Sequence, residues 1–173
     1  MTVDSGAFTQ AMSGQASAVG VVCVRDEDDD LGITTTSFAS ASLDPPLVAV
    51  LISRASYLAE VLDRQPRWSL TVLAEHQRHV ASRFAASGRP SARLLLADAA
   101  RHRGPVSDAL IIEGGIAAVE CETEQQVPAG DHTLLLARVQ ALDYLDPQAP
   151  PLVYFRRRYR GLAGSGPEGQ RSG

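Results

Sequence analysis

Short apolar runs separated by polar or glycine-bearing joints are the dominant pattern of this 173-residue chain. Residues 18–24 (AVGVVCV) form a continuous valine-rich run, too short for a stable helix and suited to a buried strand. Residues 33–36 resume as a β-branched strand. Pro45-Pro46 then introduces another over residues 47–52, since neither proline fits a helix interior or a central strand. Residues 68–73 (WSLTVL), 109–112 and 116–127 read as further strands, the last alternating through Ala118, Glu120, Glu122 and Glu124 on one face. Turn chemistry over residues 128–131 leads into a return strand over 132–144, and residues 152–155 form a last short one.

Helical spacing occurs in three places. Residues 5–13 carry Phe8, Ala11 and Met12 with Gly14 as a stop, and residues 56–62 bring Leu58, Val61 and Leu62 to one face. Residues 77–86 turn Val80, Ala81 and Phe84 inward and arginines outward. The acidic block Asp26 to Asp30 is expected to be a solvated hairpin turn, and residues 37–42 a small-residue stretch. Residues 88–105 are polar, arginine-rich and weakly patterned, which predicts a surface excursion with a short helix over 94–100. One domain over residues 6–160 is expected, between a disordered start (1–5) and a disordered Gly/Ser/Pro-rich tail (161–173). Many strands, few helices and long hairpins point to a mainly β fold, an antiparallel, Greek-key-like barrel with a few short helices. No GxGxxG or GxxxxGK[ST] argues for a doubly wound sheet.

Composition narrows the function classes. The net charge is −4, which gives no basic field for nucleic acid or an anionic membrane surface. No apolar run approaches the ~20 residues that cross a bilayer, and the start lacks a basic region followed by an apolar core. A soluble cytoplasmic protein is the expectation. Cys23 and Cys121 sit in apolar runs and are expected to be buried free thiols. No HxH or HExxH spacing supports a metal.

Five constellations can carry chemistry. Thr34, Thr35, Thr36, Ser37, Ser40 and Ser42 make a hydroxyl-rich run. It fits either a barrel corner or a surface where hydroxyls and N–H groups bind phosphate or a polar ring edge. Ser53-Arg54-Ala55-Ser56 joins a strand end to a helix start, where Ser56 is an N-cap and the free N–H groups make an anion site; the two readings are compatible. Ser82-Arg83-Phe84 reads by itself as amphipathic helix. His132 directly follows the Gly130-Asp131 turn at a barrel rim, either structural or in contact with a ligand. Tyr154 and Tyr159 flank Arg156-Arg157-Arg158, a solvated segment or a stacking, anion-binding lid. No nucleophile–base–acid triad is present.

These segments together resemble the short-chain flavin reductases, the NAD(P)H:flavin oxidoreductase components of two-component flavin-dependent monooxygenases. The likeness runs from about Phe8 to Tyr159 and rests on FTQAMSGQASAVGVVCV, GITTTSFASASLDPPLV, SRASYLAEVL, WSLTVL, the SRFA helix and PAGDHTLLLARVQAL. Actinomycete antibiotic-pathway members look nearest. The resemblance implies a homodimeric, cytoplasmic, flavin-binding split β-barrel that uses NADH or NADPH to reduce FMN, or FAD, for a partner monooxygenase. By position it places Thr34 to Ser37, Ser40 and Ser42 along the isoalloxazine and ribityl chain. Ser53, Arg54 and Ser56 would hold the phosphate, with Arg83 and Phe84 nearby. His132 would contact the nicotinamide of the reductant, with Tyr154 and Tyr159 close by. Members often carry lysine or a small polar residue in the phosphate loop; Arg54-Ala55 stands there instead and leaves FMN against FAD open. Two alternatives remain: a split-barrel flavoprotein that keeps its flavin and acts directly as oxidase or oxygenase, and a binding-only flavin protein.

Overall fold

A computed structural model describes residues 3–162. Its first half runs α1 (Ser5–Met12), β1 (Ser17–Ala18), β2 (Gly20–Asp26), β3 (Asp29–Thr35), β4 (Phe38–Leu43), β5 (Pro46–Ser53), α2 (Tyr57–Arg64) and β6 (Arg67–Val72). After a 3-10 turn come α3 (Arg78–Ala85), α4 (Ala92–Leu95), β7 (Arg101–Arg103), β8 (Leu110–Ile112), β9 (Ala117–Ala129), β10 (His132–Asp143), β11 (Val153–Phe155) and β12 (Arg158–Arg160). Seven strands pair in the order β3-β2-β6-β9-β10-β5-β4, every pair antiparallel. β3 and β5 also approach each other, so the sheet curls into a split barrel. β1-β11-β12 and β7-β8 form two small sheets beside it.

The valine run explains the core. In β2, Val22 and Val24 face the barrel interior with Val50, Ile52, Trp68, Leu70 and Leu135, and α2 plugs one end with Leu58, Val61 and Leu62. Val21 and Cys23 point the other way, against Val80, Ala81 and Phe84 of α3 and Leu96 beyond α4. A strand buried on both faces needs apolar residues at consecutive positions, which is what the run supplies.

The run is also split. Ser17–Ala18 pairs with β11, whereas Gly20 onward pairs with β6 and β3. Val19 bridges the two, its N–H donating to Leu152 O and its carbonyl accepting from Leu73 N. Gly20 follows because a Cβ there would lie 2.7 Å from Leu70 Cδ1.

Several expectations need correction. Residues 38–43, within what is expected only as a small-residue stretch over 37–42, form the edge strand β4, since pairing with β5 overrides the weak propensity of alternating Ala and Ser. Arg158–Arg160 is a strand with no apolar signal, formed because its hairpin partner β11 supplies the ladder. The acidic block forms the expected hairpin turn between β2 and β3, with residues 27–29 exposed, but its last carboxylate is drawn in. Asp30 is 1% exposed and paired with Arg103 at 2.8 and 2.9 Å, while Asp29 accepts from Ser91 Oγ at 2.5 Å. These bonds, with Ala92 and Leu96 at 0% exposure, pin residues 88–104 to the sheet, so that stretch is no free excursion. Glu120 is also buried, its Oε2 accepting from the N–H groups of Val106 and Ser107. The N-terminal order begins earlier than expected, because Asp4 caps α1 by accepting from Ala7 N at 2.9 Å. The expectations for residues 1–2 and 163–173 fall outside the described residues.

Candidate functional site

Two cavities open along β3 and β5. The larger, about 800 Å³, lies between α1, the β3–β4 corner, β5 and the β11–β12 turn. The smaller, about 380 Å³, lies between β3, the β5–α2 loop and residues 87–90 after α3. Ala49 and Leu51 line the first and Ser53 the second. Alternate residues share a strand face, so one face of β5 serves both cavities over a span of about 13 Å.

In the larger cavity, Phe8, Met12 and Leu51 offer apolar walls, and Thr36, Ser37 and Gln15 a polar edge. The hydroxyl run divides its labour. Thr36 and Ser37 reach the cavity, whereas Thr35 is buried and its Oγ1 accepts from Ser37 N at 3.1 Å, shaping the corner. Thr34 Oγ1 donates to Ala81 O at 2.7 Å and ties β3 to α3. Ser40 and Ser42 lie on β4 and line neither cavity.

In the smaller cavity, Ser53 and Ser56 are present as expected, with Ser56 capping α2 by accepting from Leu58 N. Arg54 is exposed and turned away; its N–H donates to Asp131 O at 3.0 Å, so it latches the hairpin turn instead of lining the cavity. Arg83 and Phe84 are not brought there either. Arg83 forms a two-pronged pair with Asp98 and donates to Leu95 O, and Phe84 is fully buried beneath Gly32, because the helix turns its apolar side into the core.

Sequence reasoning missed the cation that does line this cavity. Arg89 donates from Nε to Gly32 O at 2.6 Å, from Nη1 to Ala86 O at 3.2 Å and from Nη2 to Ser56 Oγ at 3.4 Å. Every partner is a neutral oxygen, and among the described residues no carboxylate pairs with it. Burial pushes its guanidinium pKa down, the direction expected of a charge short of compensation. Such a group invites an anion. Its only sequence signal was a Ser-Gly-Arg-Pro turn, indistinguishable from the other arginines of that stretch.

His132 opens β10 and pairs with Ser53 across the ladder. Its Nδ1 lies 2.7 Å from Asp131 Oδ1, and that hydrogen bond holds the Asp131 carboxyl below its ordinary range. Tyr154 lines the larger cavity; Tyr159 stands behind it edge-on, ring centroids 5.3 Å apart. His132 lines neither cavity, so the structure does not bring the histidine and the tyrosines into one cluster. Among the described residues no His, Cys, Asp or Glu group is set to hold a metal.

The residues present fit a flavin mononucleotide: an apolar slot with a hydroxyl edge, then a cradle with an uncompensated arginine. Residues 12–163 match the flavin reductase like domain family, and the chain belongs to that family. It is 35% identical over 156 residues to the reductase component of 4-hydroxyphenylacetate 3-monooxygenase from Thermus thermophilus, covering 90% of this chain and 95% of that one. It is 33% identical over 158 residues to the NADH-dependent FMN reductase AsuE2 of Streptomyces nodosus subsp. asukaensis, covering 90% and 83%. The NADH:FAD oxidoreductase SgcE6 of Streptomyces globisporus, solved in complex with NAD and FAD fragments, superposes with a TM-score of 0.86 at 26% identity, covering 95% and 98%.

Proposed function

We propose that this chain is an NAD(P)H:flavin oxidoreductase that takes FMN as its flavin and hands the reduced form to a partner monooxygenase. The observation that carries the reading is Arg89, a half-buried guanidinium bonded only to neutral oxygens, at one end of a groove whose other end is a slot for a ring. Bound flavin supplies the hydride-accepting ring. The protein supplies position: Ser53, Ser56 and Arg89 hold the phosphate, and Thr36 and Ser37 fix the ring edge beside Leu51. No general base is required. His132, paired with Ser53 across the ladder, orients the reductant.

FMN is preferred over FAD on charge. Beyond the smaller cavity, and sharing Leu31 and Tyr57 with it, lies a hollow lined by Asp26, Glu27, Asp28 and Asp29. A second phosphate would meet these carboxylates. Loose binding, roughly micromolar or about −8 kcal/mol, suits a flavin that must leave.

A homodimer is proposed from the sheet. Ala49 and Leu51 on β5 stand opposite Leu136 and Leu134 on β10, and Val127 on β9 faces Leu134, giving an apolar stripe with Val127 45% exposed. A second copy would cover it. The cytoplasm is the proposed compartment, in keeping with two buried free thiols; among the described residues no helix is long and apolar enough to cross a membrane.

NADH oxidation measured against added FMN tests the reading. Turnover that rises with free flavin supports it. Turnover by the purified protein without added flavin would favour a tightly held flavin, and no oxidation at any flavin concentration would refute the reductase.

A further inference from the structure

We propose that Arg157 reads the diphosphate bridge of the nicotinamide reductant at the mouth of the larger cavity. The inference rests on the reductase reading above. β11 and β12 are joined by two residues, Arg156 and Arg157, with φ of 48° and 60°. A two-residue hairpin with both φ values positive belongs to asparagine and glycine, because a Cβ is strained there. This chain places arginine at both positions.

Arg156 has structural work. Its N–H donates to Ser13 O at 2.9 Å, tying the hairpin to the end of α1, and its guanidinium lies 5.1 Å from the Phe155 ring centroid. Arg157 has none: among the described residues it makes no hydrogen bond and no ion pair, yet it lines the larger cavity. It is the sole charged side chain among those lining residues. A strained backbone that presents an unpaired cation to a cavity is poorly explained by stability and well explained by a ligand.

The anion it meets is not the flavin phosphate, which Arg89 addresses in the other cavity. A second anion implies the second substrate. The reductant carries its charge on the diphosphate next to the nicotinamide riboside, and that group must lie at the rim when the nicotinamide is inside beside Tyr154. An exposed arginine there can donate two parallel hydrogen bonds to it.

Two variants test this, Arg157→Gly and Arg157→Lys. Glycine suits the turn, so its melting temperature is expected to rise by about 2–4 °C. Its KM for NADH is expected to rise about tenfold, with kcat within about twofold and the KM for FMN unchanged. Calorimetry of ADP-ribose, a redox-silent probe bearing the same diphosphate, on FMN-saturated protein should show the same loss. Lysine should recover most of the affinity through its charge. The proposal is overturned if wild-type protein binds no ADP-ribose, if Arg157→Gly binds NADH and ADP-ribose as wild type does, or if FMN affinity falls instead. Wild-type turnover with FMN decides the reductase reading separately, since this proposal is read only from variant-to-wild-type ratios.

Discussion

His132 on β10 stands directly across the antiparallel ladder from Ser53 on β5, and Arg54 N–H closes the same corner on Asp131 O. The Gly130-Asp131-His132 turn and the β5–α2 loop are thus one structural unit, although 76 residues separate Arg54 from Gly130. Gly130 permits it, with φ of 65° and open space around its Cβ position.

That pairing sets two roles for the imidazole against each other. If His132 orients the reductant, His132→Ala lowers kcat/KM for NADH by about tenfold while FMN affinity and melting temperature hold. Steady-state kinetics with both substrates varied decides it. A change confined to the FMN constant assigns the histidine to seating the Ser53–Arg54 loop.

Arg89 yields a sharper contrast. Removing a charge-assisted bond to phosphate costs about 1.5–3 kcal/mol, so Arg89→Ala should raise the KM for FMN by about 10- to 100-fold. Riboflavin has no phosphate, so its KM should stay within about twofold. Equal losses for both flavins would place Arg89 outside the phosphate cradle.

The contrast between Arg89 and Arg54 shows where sequence reading stops. Periodicity carried the strands, the cap at Ser56 and the inward faces of α2 and α3, because burial leaves a repeating mark on the residues themselves. Of the hydroxyl-bearing residues picked out by type, Thr36, Ser37, Ser53 and Ser56 line a cavity, and Ser40 and Ser42 do not. Which arginine faces the cavity was not legible, because Arg54, Arg83 and Arg89 differ only in their tertiary partners: a turn carbonyl, Asp98, and the carbonyls around Gly32. β12 was invisible for a related reason, since its strand state comes from β11 and not from Arg-Tyr-Arg. Asp30 reads as one of five consecutive acidic residues, and only the fold singles it out as the buried one.

Asp30 consequently matters for stability. Its carboxylate receives both Nη atoms of Arg103 and lies 3.3 Å from Arg93 Nε. Asp30→Asn strips the charge facing two arginines and should cost about 3 kcal/mol, read as a lower urea midpoint. Hydrogen exchange should quicken across residues 88–104 first. A loss under about 1 kcal/mol would mean that Ala92 and Leu96 hold the segment without the ion pairs.

The two cysteines should be chemically silent. Burial, aided by the neighbouring carboxylates of Asp30 and Glu120, pushes both thiols up to about 12. At pH 8 each is therefore protonated and shielded, and a thiol reagent such as DTNB should label neither in the native protein but both in denaturant. Rapid labelling of one thiol without denaturant would show that its strand opens locally.

Acid should act on the tie between α3 and the segment after α4. Arg83, bonded to Asp98 through both terminal nitrogens, holds the Asp98 carboxyl at about 2, below its ordinary 3.8. A carboxyl depressed in the folded state adds stability above its unfolded value, and that share is lost as pH falls from about 3.8 through about 2. The contribution is small because the pair is exposed. Asp98→Asn should therefore be slightly less stable than wild type at pH 6, with the two melting curves converging as pH falls through about 2. A gap of constant size across that range would show that the asparagine disturbs packing rather than charge.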